Sequence, residues 1–447
     1  MPAREPRRLR RRKARAVSVT RSSYRQRYLR LTRGVVIALA AVAGLLRLGL
    51  RLEGRGRLDP GPRPAASVRP AESASEEDAR LAEARSALNR GDLAAVFRAC
   101  RTARLHGAPA RAVLPVEAEL FKQAGYLDRE INALRHWTTA APEDATPWLK
   151  LFYIDLDLGW RHEAGEAMKR AVALAPQDPH ALVARAIWLD RAHDSARALP
   201  LVDQAMWLNP ASGELANLRA TILLKMERNA EAESVLRQAL ARDPANAPDR
   251  LALAHALLVQ GKAEEAVAQF HEVERREPDN VEAAYQLGVL AEKQGRVAEA
   301  ERELERVAAA DAGFSNVLWH LGRLYLRQGR VAEGKKLVHV FESMHANALA
   351  FETALEQLEA RPQDPALHHR PAGFHLQSGE LPQAIVELRR VLALRPGDRR
   401  AQQELAAALK RHGRFTEARQ VAAGLPLRRC TACTEVAPTS RSAKFAG

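Results

Sequence analysis

Apolar residues recur along most of this chain at spacings of three and four, which is the period of a helix packed on one face and not the alternation of a strand. In VEAAYQLGVLAEKQGRVAEAERELERVAAAD, residues 281–311, a first apolar stretch carries Leu287 and Gly288. A turn falls at Gly295 and Arg296, and a second stretch carries Ala300, Leu304 and Val307. The pattern predicts two antiparallel helices joined by a tight turn, the glycine supplying positive φ.

That unit repeats. Prolines stand 34 residues apart at Pro142, Pro176, Pro210, Pro244 and Pro278, and again at Pro362 and Pro396. Glycines keep the same register at Gly91, Gly125, Gly159, Gly261, Gly295, Gly329, Gly379 and Gly413. Small residues do so at Ala164, Ala198, Ala232, Ala266, Ala300, Gly334, Ala384 and Ala418. A fixed period of this length implies a repeat architecture in which each unit buries its apolar face on its neighbours. The register places units at residues 77, 111, 145, 179, 213, 247, 281 and 315, then a 16-residue insertion, then units at 365 and 399.

The units resemble tetratricopeptide repeats. Trp148, Leu287 with Gly288, Leu321 with Gly322, Tyr325 and the alanine and proline columns carry the likeness. It is specific over 145–346 and weaker over 77–144, where Glu130 takes the small-residue slot. The resemblance implies an all-α, right-handed superhelical solenoid of about ten 34-residue helix-turn-helix repeats. Its inner face would be lined by the first helix of each unit and would hold protein or peptide partners, with no chemistry of its own.

On the family's arrangement, the fifth and ninth residues of each unit line that groove. They include Leu149 and Tyr153, Val183 and Ile187, Asn217 and Thr221, Leu251 and His255, Tyr285 and Val289, Trp319 and Arg323. The candidate binding residues are Tyr153, Ile187, His255, Tyr285, Val289, Trp319 and Arg323, an apolar and aromatic set with scattered donors that suits an extended or helical peptide. No unit has the paired Lys and Asn with which chaperone-binding members of the family clamp a terminal carboxylate.

One stretch suggests a different activity. GRVAEGKK, Gly329 to Lys336, has the glycine spacing and lysine of a phosphate-binding loop. Such a loop needs a strand before it and a hydroxyl after the lysine. Here helical spacing precedes it and Lys336 replaces the hydroxyl, so Gly329 is read as the turn glycine and Gly334 as the small residue of its unit. No nucleotide and no cofactor is expected. Nor do the residues form H-E-x-x-H, G-x-S-x-G or a dense carboxylate and histidine cluster, and the reading is non-enzymatic. His368, His369 and His375 share one helix but not one face, which favours structural roles over a metal site.

The N-terminus adds a second element. Residues 34–50, GVVIALAAVAGLLRLGL, follow a segment holding thirteen Lys and Arg against one acid. Seventeen helical residues reach about 25 Å, against a hydrocarbon core of about 30 Å, a mismatch that tilt and snorkelling of Arg47 cover. A single-pass membrane anchor is expected. The alternatives are a cleaved signal peptide and an Arg-rich targeting segment. A long 33-residue lead weighs against the signal peptide, as does the lack of small residues just after Leu50. Thirteen basic residues before the segment, against five in the twenty after it, orient the N-terminus to the cytoplasm and the repeats outside it, in the periplasm of a bacterium.

Formal net charge is +15, of which the first 33 residues carry +12, so the repeats are near neutral and no nucleic-acid partner is expected. Organisation is expected as a basic tail (1–33), an anchor (34–50), a Pro- and Gly-rich linker (51–76), eight units (77–346), a helical insertion (347–364), two further units (365–432) and a tail (433–447).

Two features depart from regular repeats. Leu337, Phe341, Met344, Ala348, Phe351, Leu355 and Leu358 alternate steps of four and three, so the second helix of unit 8 should run on through the insertion. Pro371 should kink or shorten the helix that follows. A hinge or protruding arm between eight units and the last two is the expectation. At the C-terminus Cys430 and Cys433 form a C-x-x-C pair. A zinc knuckle needs a second pair, and no His follows for haem attachment. Some membrane-anchored repeat proteins of bacterial envelope assembly end in a rubredoxin-like domain with two such pairs, and this tail resembles half of one. A scaffold in cell-envelope assembly is thus expected, the alternative being a metal- or redox-linked assembly protein using Cys430 and Cys433.

Overall fold

The computed structural model describes residues 74–424 apart from 210, 211, 312 and 313. Among these there are twenty helices and no strand, and consecutive helices pack pairwise into ten hairpins that follow the 34-residue register. The chain is an all-α solenoid of tetratricopeptide type. The expected anchor at 34–50 and the Cys430–Cys433 pair lie outside the described residues. Among the described residues no helix is long and apolar enough to cross a membrane.

Two of the three sequence columns have a visible cause. Ala164, Ala198, Ala232, Ala266, Ala300 and Ala384 are fully buried where the two helices of a unit cross. Gly329 has φ +79°, with open space around it, so it is a turn residue. In units 4 and 5 that slot holds His193 and Glu227, which are forced to φ 60° and 59° without being glycine.

A fourth column went unread in the sequence. Asp178, Asn246, Asn280 and Asp398 lie at the last position of their units, and Asp364 holds the same place before unit 9. Each side chain accepts a backbone N–H from the next helix's first turn at 2.8–3.1 Å. These caps satisfy N–H groups that no intrahelical carbonyl can reach.

The second helix of unit 8 does continue through the insertion, as one 30-residue helix, Val331–Ala360. At 1.5 Å per residue it is about 45 Å long. Its first part, with Leu337, Phe341 and Met344, packs on the core of units 7 and 8. Residues 345–350 are exposed except for half-buried Ala348. Its last part is buried again at Phe351, Ala354 and Leu358.

It is not a protruding arm, because both ends are packed. It carries the chain back to unit 3, where Leu355 presses on Gly159, and units 9 and 10 then run alongside units 3 and 2. Pro371 does not shorten its helix, which spans Pro365–Ser378. Burial of Leu367, Ala372 and His375 on both sides of the missing N–H holds the turns together.

Candidate functional site

Along the array the expected groove residues meet different fates. Ile187 and Val183 are buried in the continuous core, so they contribute packing and little open surface. Asn217 is also buried, its amide donating to Asp249 Oδ1 at 3.1 Å and tying unit 5 to unit 6. Tyr153 is half-buried with its ring 5.0 Å from Phe152. Burial, with Glu214 and Asp178 nearby, pushes its phenol above the usual tyrosine range. These neighbours close the groove floor in units 3 to 5.

Units 6 to 8 bring the remaining candidates together. His255 is half-exposed, its ring 5.7 Å from Phe270 and its Nε2 3.6 Å from Glu282. Tyr285 lies 4.5 Å from the Phe314 ring and 5.7 Å from His320, and burial together with Glu282 and Glu292 pushes its hydroxyl to about 12. It therefore stays a neutral donor at any ordinary pH. Val289 is half-buried beside it in the same cluster. Trp319 is exposed at 38%, with the Arg323 guanidinium 5.7 Å above its ring and Phe341 5.4 Å away. Phe341 and His320 were not among the expected residues. Phe341 sits where units 1, 3, 4 and 5 place alanine and units 6, 7 and 9 place valine, and it is half-buried against Trp319.

The charges along these helices are internally compensated. Lys225 pairs with Asp190 at 2.5 Å, and Glu292 takes both His320 at 2.6 Å and Arg327 at 3.4 Å. What remains open is an aromatic strip with a hydroxyl, imidazoles and one guanidinium. It can stack on and donate to a partner.

The remaining candidates are structural where they can be seen. His368 Nε2 lies 3.0 Å from the Pro362 carbonyl, which can only accept, and Nδ1 lies 2.7 Å from Glu387 Oε2. His375 pairs with Glu380 at 2.7 Å, and His369 faces Asp398 at 3.1 Å on another side of the helix. Among the described residues no group of His, Cys, Asp and Glu could hold a metal ion. In the GRVAEGKK stretch, Gly334 is a contact residue: a Cβ there would lie 2.7 Å from the Gly322 carbonyl oxygen.

Residues 213–246, 251–316 and 375–429 each match a family model for the tetratricopeptide repeat. The chain is a tetratricopeptide repeat protein. Among solved structures it is similar to a tetratricopeptide repeat protein from Parabacteroides merdae, at 18% identity over 56% of this chain and 98% of that one, with a TM-score of 0.45. Human IFIT1 is similar at 15% identity over 78% and 94%, with a TM-score of 0.42. PilW, a type IV pilus biogenesis factor, is similar at 17% identity over 44% and 92%, also with a TM-score of 0.42. No curated protein matches the chain in sequence.

The matched stretches include the repeats that carry His255 and Tyr285, and the last match includes unit 10. The seam between the two ends of the repeat array was not foreseen. Its signal in the sequence was a charged residue on an apolar helix face, Glu387 in AIVELRRVL, together with an indole, Trp160, directly after a turn glycine.

Proposed function

We propose that this protein is a non-enzymatic, membrane-anchored scaffold that holds a protein or peptide partner on the inner face of units 6 to 8, in cell-envelope assembly. One observation carries the binding role: Trp319 stays open beside Arg323 and Phe341, while its counterparts Val183 and Asn217 in units 4 and 5 are buried and Leu149 in unit 3 is half-buried. Aromatic and arginine side chains grouped in a partly desolvated pocket are the usual anchors of a protein interface. The envelope location rests on the sequence: the apolar segment 34–50 behind thirteen basic residues, with repeats following on the other side.

The test is a photoreactive residue at Tyr285 in intact membranes, beside the same probe at Arg302, an exposed residue of the unit's second helix. A partner captured at Tyr285 alone supports the scaffold. Equal capture at both positions, or recovery of the full chain in the soluble fraction, counts against it.

A further inference from the structure

Two sets of contacts join the ends of the array. At the first, Arg414 clamps Asp128 with both terminal nitrogens, at 2.6 and 2.9 Å, the two side chains being 3% and 5% exposed. Arg389 approaches the same carboxylate at 2.9 Å, Glu417 binds Arg414 and Arg389, and Arg129 pairs with Glu417. Burial pushes the Asp128 carboxyl up, but the guanidinium groups of Arg389, Arg414 and Arg129 outweigh it and hold it at about 2. At the second, Trp160 Nε1 donates to the fully buried Glu387 at 2.8 Å, Arg390 stacks on the Trp160 ring at 4.3 Å, and Arg390 pairs with Glu163.

Units 3 to 8 and the long helix thus form a closed circuit of contacts. Its two segments differ in character. The core from Leu114 to Leu290 is continuous and apolar, whereas units 9 and 10 keep a core of their own, with Val386 reaching across the seam. Apart from Leu355 on Gly159 and the His412 ring against Tyr126, the rest of the seam is ionic and cation–π. Buried ion pairs add little net stability over apolar packing but fix one arrangement specifically. Polar interfaces between bodies with separate cores favour relative motion. Residues 345–350, exposed except for half-buried Ala348, bury little against the rest of the chain, so little packing resists bending of the helix there.

We propose that units 9 and 10 are a latch: they detach from units 2 and 3 as a folded body, opening the circuit so that a partner chain can be laid on the inner face, and close over it by re-forming the Asp128–Arg414 and Trp160–Glu387 contacts. The gating role rests on the groove proposal above, while the detachment itself does not.

The experiment uses the full chain with Cys430 and Cys433 replaced by serine and spin labels at Lys169 and Arg400, both exposed and outside the seam. Double electron–electron resonance should give one dominant distance with a minor longer one. Arg414→Gln and, separately, the milder Trp160→Phe should each raise the longer population at least threefold with helical circular dichroism unchanged. A single distance in all three proteins overturns the latch, as does separation accompanied by loss of helix.

A second arm bridges Glu163→Cys to Arg390→Cys with a short bismaleimide and repeats the Tyr285 photocapture. At least tenfold lower capture than in the unbridged protein supports gating, and equal capture overturns it. Failure of the unbridged protein to capture anything overturns the groove proposal, and the spin-label distances then decide the latch alone.

Discussion

Trp160 Nε1 donates a hydrogen bond of 2.8 Å to Glu387 Oε1 although the two residues lie 227 apart in the chain. Both are buried, and Glu387 uses its other oxygen on His368. Trp160→Phe keeps the ring and removes the donor. It should cost about 1–3 kcal/mol in urea unfolding of the full chain, the penalty of an unsatisfied buried acceptor. Trp319→Phe, at an exposed ring, should change stability by no more than about 0.5 kcal/mol.

Buried carboxylates make stability depend on pH in two opposite ways. Asp128, held at about 2 against a usual 3.8, adds stability that is present above 3.8 and is lost as pH falls through 2. Glu130 and Asp155 go the other way, burial raising each to about 7. Their cost is absent while both states are protonated and grows as pH rises from the ordinary carboxylate range through 7. Glu130→Gln should therefore stabilise the fold by on the order of 3 kcal/mol at about pH 8 and have little effect at about pH 4. Melting curves at the two pH values check the sign.

Gly334 and the Gly322 carbonyl leave no room for a methyl group between the helices of unit 8. Gly334→Ala should cost about 1–3 kcal/mol through overpacking. Lys336 is exposed, so Lys336→Ala should stay within about 0.5 kcal/mol of the parent. Magnesium and ATP should leave the melting temperature of both proteins unmoved, which separates a packing glycine from a phosphate loop.

His193 and Glu227 hold left-handed backbone that glycine adopts freely elsewhere in the same column. His193→Gly and Glu227→Gly should each stabilise the protein by about 0.5–1 kcal/mol, the relief of strain less the added freedom of the unfolded chain. Differential scanning calorimetry on the single and double variants would show additive gains, since the two sites lie in separate turns.

Local order was legible because it is written within each unit. The turn at Gly295, the crossing at Ala300 and the continuation of the helix from Leu337 to Leu358 all follow from side chains within one or two helical turns of each other or in the adjacent hairpin. The Asp and Asn caps were equally local and could have been read from their 34-residue spacing. Val183 shows where that legibility ended: it holds the same position in its unit as Tyr285 and Trp319, yet it is buried while Trp319 is open. Exposure there depends on what the adjoining units supply, and Trp319 is left open because the long helix leaves the array.

The sequence by itself determined the hairpin, its period, the number of units and the place where the repeat breaks, since each rests on short-range packing and backbone conformation. Only the tertiary structure decided that the chain returns after the break and that Asp128 meets Arg414, 286 residues away. Small differences in the angle between successive hairpins add up over eight units, and that sum, carried on by a continuous helix of thirty residues, fixes which distant side chains meet. No local pattern encodes such a sum.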